Sequence, residues 1–379
     1  MNPSARIAAC LFVSALLSQP AISADFQNMP VSTSSATSIG FLPDGSGIYI
    51  GDPDGNVRLW DLSTGEVKVR VKALSTKERG TVATNIVRVS ADGKHALTAY
   101  GSGEIRYVSL STGKEIWQAK FLSDQLLVLA ISPDGKLGLA SDISRRLVLF
   151  ATSDGGIVWD FKHSGLIVDA AFSASGDLIF EAETGRFRAE TLEGYLAPFD
   201  FDVPGSGSAF FDDIDVAKNG VVAAADNGEV HLYDGKSGKR LKVVKIKGKW
   251  SGSIVAISDD GRQFLTELEN GQAGLFDTKS GKQMGAVGAA GEHVDLEALA
   301  FSPDGRRFVI ADDDGRISLW RTKGLNKIAT ARLWSDGYAV FLPNGAFMAE
   351  PGKMGGILAL NHYDLLEAKP DLVKAAFAK

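Results

Sequence analysis

Cysteine is nearly missing from this chain. The one cysteine, Cys10, lies inside an N-terminal apolar stretch, so the rest of the 379 residues has no thiol. That excludes a structural disulfide, a thiol nucleophile and a thiolate zinc site. Histidine is scarce too. The five are His95, His163, His231, His293 and His362, and no two stand at metal-ligand spacing. No His-Glu-x-x-His, Gly-x-Ser-x-Gly or Gly-x4-Gly-Lys-Ser/Thr sequence occurs, so the linear signatures of metalloproteases, serine hydrolases and phosphate-binding loops are absent. From these absences no catalytic, cofactor-binding or metal-binding residue is assigned. A positive excess is also lacking: 40 Lys and Arg face 46 Asp and Glu, a net charge of -6 that disfavours nucleic acid and anionic membrane as generic partners.

Long hydrophobic runs are confined to the N-terminus. Met1 to Arg6 is short and carries one positive charge, and Ile7 to Leu17 is apolar but too short to span a bilayer as a helix. Ser18 to Ala24 is polar and small-residue rich, with Ala24 suited to the position before a cut. Residues 1–24 therefore read as a secretory signal peptide. With no cysteine after it and no Asn-x-Ser/Thr site, the expected compartment is the bacterial periplasm or the secreted space, and the mature chain is expected to be monomeric and not membrane-spanning.

Glycine is abundant, at 42 residues, and its spacing carries the main signal. A Pro-Asp-Gly turn or a variant of it recurs with its glycine at Gly45, Gly93, Gly135, Gly176, Gly220, Gly261 and Gly305, 41 to 48 residues apart. Each such turn needs a backbone with positive φ, which glycine supplies without a steric cost. Between them, short apolar segments alternate with a second turn (Asp54-Gly55, Asn227-Gly228, Asn270-Gly271, Asp314-Gly315) and a third (Ser63-Thr64-Gly65, Ser111-Thr112-Gly113). Val67, Val69 and Val71 alternate with Lys68, Arg70 and Lys72, the period of a strand with one packed and one wet face. Four strands per unit of some forty residues predict a β-propeller blade.

Ile131-Ser132-Pro133-Asp134-Gly135, Phe301-Ser302-Pro303-Asp304-Gly305, Leu59-Trp60-Asp61-Leu62 and Leu319-Trp320 resemble the WD-repeat family of β-propellers over roughly residues 36–333. The departures are clear: only the first repeat ends its third strand in Trp-Asp, and Phe150, Tyr233, Phe276 and Trp320 stand at that tryptophan's place elsewhere. The expected fold is all-β, a seven-bladed propeller of four-stranded antiparallel blades over residues 25–361. An eighth blade would follow if Asp25 to Ser32 paired with strands from 337–361. Residues 362–379 are expected to form a C-terminal helical tail, with Leu372, Val373, Ala376 and Phe377 on one face. Tyr363-Asp364-Leu365-Leu366 and Lys369-Pro370-Asp371-Leu372-Val373 resemble the segment that follows the propeller in caspase-like peptidase/WD-repeat proteins.

Such a fold binds through loops on a rigid ring, so the sequence points to a non-enzymatic scaffold for a protein or peptide partner. The alternative is an enzyme whose metal or cofactor sits in the central channel, where strand-entry residues converge without any linear motif. The segment Gly194 to Asp213 is rich in rings, and Tyr195, Phe199, Phe201, Phe210 and Phe211 are the candidate partner-binding residues; burial as blade four's outer strand is the competing account. Asp312-Asp313-Asp314 reads as a turn, and Asp212, Asp213 and Asp215 as a looser acidic group.

Overall fold

The recurring Ser-x-Asp-Gly turn is built by its own side chains. Glycine closes each one: the N–H of Gly135 donates to Ser132 O and that of Gly305 to Ser302 O, each at 2.8 Å, with both glycines at positive φ (74° and 65°). The serine hydroxyl donates to the turn aspartate (Ser132 to Asp134 2.7 Å, Ser302 to Asp304 2.6 Å) and accepts the N–H that starts the next strand, Leu137 or Arg307, at 2.9 Å. Hydrogen bonds from Ser132 and from the Lys136 N–H hold the Asp134 carboxyl below its ordinary range. The repeat is therefore a local device for reversing a strand, copied from blade to blade.

The computed structural model describes residues 36–52, 54–72, 85–123, 125–183, 186–192, 199–201, 211–226, 228–246, 254–288, 295–334, 337–349 and 370–377. These form seven antiparallel sheets in chain order, six of four strands and a last one of six. The first strand of each sheet is innermost: Ser38–Phe41, Asn85–Val89, Leu126–Ile131, Ile167–Phe172, Phe211–Val216, Val255–Ile257 and Leu296–Phe301. Each inner strand touches the next, and the first touches the last, so the seven blades close into a ring. The protein is a seven-bladed β-propeller. Outermost strands are wet, as in Glu115–Lys120 and Ile157–Lys162, while second and third strands are almost wholly buried. The core lies between blades as a series of apolar layers, one per interface.

Closure between blades seven and one decides the place of the strands within residues 337–361. Gly337–Phe341 and Phe347–Ala349 do not start another blade. Gly337–Phe341 pairs onto the outer strand of blade seven, Lys327–Trp334, and Phe347–Ala349 pairs onto Gly337–Phe341, so the two extend that sheet outwards. Their buried side chains, Tyr338, Val340 and Met348, join Ile48, Ile50, Trp60 and Val67 of blade one in a single cluster. Arg58 of blade one donates to Gly337 O at 3.2 Å. The C-terminal helix Pro370–Phe377 adds a plug: Val373 is fully buried, Phe377 meets Trp60 edge-on at 5.8 Å, and both lie over Gly65, where a side chain would collide with them. The segment Asp25 to Ser32 lies outside the described residues.

Candidate functional site

The inner strands have no sheet neighbour on the channel side, and polar side chains tie them to one another. Ser38 of blade one donates its hydroxyl to Val87 O (3.0 Å) of blade two and accepts from the Val87 N–H (3.2 Å) and from Arg88 Nη1 (3.2 Å). Asp169 of blade four accepts the Ile214 N–H of blade five at 2.9 Å. Asp213 and Asp215 of blade five accept the Val255 and Ile257 N–H groups of blade six, each at 2.8 Å. These carboxylates latch adjacent blades where backbone pairing is impossible.

Around them a cavity of about 530 Å³ opens, lined by Arg88, Asp212, Asp213, Asp215, Asp259 and Glu297 together with apolar inner-strand residues. Among the described residues Arg88 is the one cation of that lining, so the channel is acidic. Burial raises all three latching carboxyls. Asp215 is pushed up to about 6, and Asp213 is raised well above its ordinary value by burial and by the nearby Asp169 charge. Asp169 is raised by burial against the opposing bonds from Ile214 and Asp213. The acidic triplet of the sequence is thus divided: Asp213 and Asp215 hold blade six, while Asp212 is exposed. Asp312 pairs with Arg316 at 2.7 Å beside its turn, and Asp314 with the same guanidinium at 2.8 Å.

The aromatic segment is placed in part. Phe201 is 4% exposed; its ring stacks on Phe187 with centroids 3.9 Å apart and meets Phe180 and Tyr233 edge-on. Phe211 is buried against Phe187 and His231. Both belong to the apolar layer between blades four and five. Phe199 pairs through its backbone with Ala189 as blade four's outer strand. Tyr195 and Phe210 lie outside the described residues. The ring layer is what the sequence could not separate from an exposed patch, because both need large side chains at alternating positions.

A model of the family described as WD domain, G-beta repeat matches residues 27–61 and 290–321, and one described as outer membrane protein assembly factor BamB matches residues 101–195. The chain is a WD-repeat-like β-propeller. The first match falls on parts of blades one and seven, which close the ring, and the second reaches from blade two into blade four. Among curated proteins, the chain is 28% identical over 131 residues to one of the subunits of chromatin assembly factor 1 from Schizosaccharomyces pombe, a match covering 29% of this chain and 26% of that protein. It therefore spans about a quarter of the length of that relative.

Between blades three and four the propeller buries a charged network that sequence spacing did not disclose. Glu181 and Arg188 face each other across two strands, and Glu190 lies on the same face. Arg188 pairs with Glu181 at 3.1 Å and Glu190 at 2.9 Å, lies 4.0 Å from Glu183, and hydrogen-bonds His163 Nδ1. His163, Glu181 and Glu190 bring one ligand atom each within 4.8 Å of one another, a grouping able to hold a metal ion. In this arrangement the guanidinium already supplies the positive charge, and the imidazole must accept on Nδ1 because arginine only donates. Burial drives His163 down to about 4, reinforced by the Arg188 charge, and drives Glu181 up to about 8, reinforced by Glu190. The network is a neutral histidine and a proton-holding carboxyl packed around one arginine. Its members come from three separated positions, so no linear motif announces them.

Proposed function

We propose that the protein is a non-enzymatic scaffold of the periplasm or secreted space that binds a protein partner. The observation that carries this reading is the open edge of blade three. Its outer strand, Ile157–Lys162, exposes Ile157 (52%), Val158 (56%) and Phe161 (45%), with Trp159 stacked on Phe161 at 5.7 Å. An apolar row on an unpaired strand edge is a surface that proteins ordinarily guard, and it suits the addition of a partner's extended segment. In blade seven the chain fills the corresponding edge itself, with Gly337–Phe341. The WD-repeat match supports partner binding, since rigid rings of this type present many loops and edges at once. The name attached to the match at 101–195 and the leader-like N-terminus support the envelope setting. Among the described residues no helix is long and apolar enough to cross a membrane. Tyr195, Phe199 and Phe210 are kept as candidate partner residues on the sequence alone.

The test is capture from the cell envelope with the intact chain beside Val158→Lys. A partner retained by the first and lost by the folded variant supports the scaffold. Capture of nothing by either form sinks it. The alternative, an enzyme working in the channel, draws on the raised Asp169–Asp213 pair, since strongly displaced carboxyls also mark sites of proton transfer. Stoichiometric metal or chromophore in purified protein would favour that alternative.

A further inference from the structure

Blade seven breaks the repeat at one position with a change of sign. The residue that ends the third strand is aspartate in blades one, five and six, and serine, alanine and threonine in blades two, three and four. Asp61, Asp234 and Asp277 each use it to accept the N–H groups of the following turn, as in Asp277 with Ser280 at 2.7 Å. In blade seven the same register position is Arg321, opposite Arg307. A turn that loses its capping acid and gains a cation departs from local rules, and such departures concentrate at functional sites.

The turn that follows is also unlike the others. Lys323–Leu325 is a short 3-10 segment in which Gly324 (φ 80°) is followed by a second positive φ at Leu325 (51°). A left-handed leucine is strained and persists only where its surroundings hold it. Here the surroundings are blade six: Leu325 lies over Gly285 so closely that a β-carbon there would come within 2.2 Å of it. The leucine thereby lines a cleft between blades six and seven, of about 870 Å³. Leu275, Met284 and Leu325 give it apolar lining, and Arg306, Arg321 and Lys323 stand on its rim. No carboxylate lines it, and none of the three cations forms a salt bridge among the described residues. The partner-side chemistry is therefore negative charge flanking an apolar side chain.

We propose that this cleft receives an acidic peptide segment of the protein partner, its carboxylates on Arg306, Arg321 and Lys323 and an apolar residue against Leu275 and Met284. This rests on the scaffold reading and names the chemistry of one docking point. Guanidinium groups recognise carboxylates through paired N–H donors, and steering by such a rim speeds association and selects against basic partners.

The probe is a labelled, capped Glu-Leu-Glu-Leu-Glu peptide, with Lys-Leu-Lys-Leu-Lys as its control, titrated into the intact chain. Arg321→Asp restores the residue that caps this turn elsewhere, so it reverses the charge without removing a needed contact. Saturable binding of the acidic peptide alone, weakening as salt is raised, is expected; Arg321→Asp should reduce affinity by on the order of tenfold. Lys323→Gln, at an exposed position, gives a second reading should the first variant fail to fold, with a drop of about threefold expected. The proposal is overturned by equal binding of both peptides, by no binding, or by unchanged affinity in a folded Arg321→Asp. Complete competition by inorganic phosphate alone would also overturn it, reducing the cleft to a small-anion site. If the envelope partner is captured equally by the intact chain and Arg321→Asp, the scaffold stands and the cleft assignment falls. If the peptide binds but no envelope partner is captured, the reverse holds.

Discussion

Replacing Phe201 by alanine separates a packed ring from a partner-binding one. Phe201 is 4% exposed and sits among Phe180, Phe187 and Tyr233, stacked at 3.9 Å on the second of these. Its removal deletes a buried ring and leaves a cavity that a closed β-layer cannot easily collapse, a change that costs about 3–5 kcal/mol. The aromatic pairs add about 0.5–1.5 kcal/mol each beyond area, which places the expected loss toward the upper end. Phe201→Leu keeps most of the buried carbon and should recover at least about half of the loss. The assay is urea unfolding followed by tryptophan fluorescence, read as midpoint shifts at unchanged slope, since the slope reports the surface exposed. A midpoint for Phe201→Ala within error of the parent would refute the packing argument, and loss of partner capture in such an undisturbed variant would make Phe201 an interface residue.

Four other outcomes follow from the same structure. Glu181 keeps a proton in the folded chain up to about pH 8 that the unfolded chain has released by about 4.5, so stability should fall as pH rises through that window and level off above it. His163 acts oppositely, losing stability as pH falls from 6.5 to about 4, so the range 6.5–8 lies clear of His163, and Glu181→Gln should reduce the pH slope of thermal stability there. A pH slope between 6.5 and 8 that is unchanged in Glu181→Gln would show the wrong group was blamed. Gly113 has φ of 68° with Arg70 O only 2.3 Å from where a β-carbon would sit, so Gly113→Ala should destabilise by more than about 1–3 kcal/mol, measured by calorimetry. Val373→Asp puts a carboxylate into a fully buried apolar site over blade one; limited proteolysis should then release the C-terminal helix while the blades persist. Arg321→Asp should weaken acidic-peptide binding without lowering the melting temperature.

The repeat was legible because it is local. Ser132, Asp134 and Gly135 make their turn with one another, so the same letters in another blade make the same turn. The alternation in Val67 to Val71 likewise follows from strand geometry alone. The sites were less legible. Phe201 and an exposed interface ring look alike in one dimension, since burial depends on Phe187 and Tyr233 arriving from other strands. His163, Glu181 and Glu190 converge only because blades three and four stack. Arg321 could have been found from the sequence by aligning the seven third-strand ends, where it alone is basic; the cleft beside it could not.

The sequence by itself determined the blade: its turns, its strand count and its period all rest on hydrogen bonds and backbone torsions within a few residues. The number of blades and the manner of closing were left to the tertiary structure. Residues 337–349 carry a strand-turn-strand signal equal to that of an eighth blade's start. Whether they open a new blade or extend the seventh depends on which arrangement buries Tyr338, Val340 and Met348. The ring resolves this in favour of blade one's face, where Trp60 and Ile48 offer the apolar surface, because a ring can close only once and the innermost strands of blades one and seven already touch.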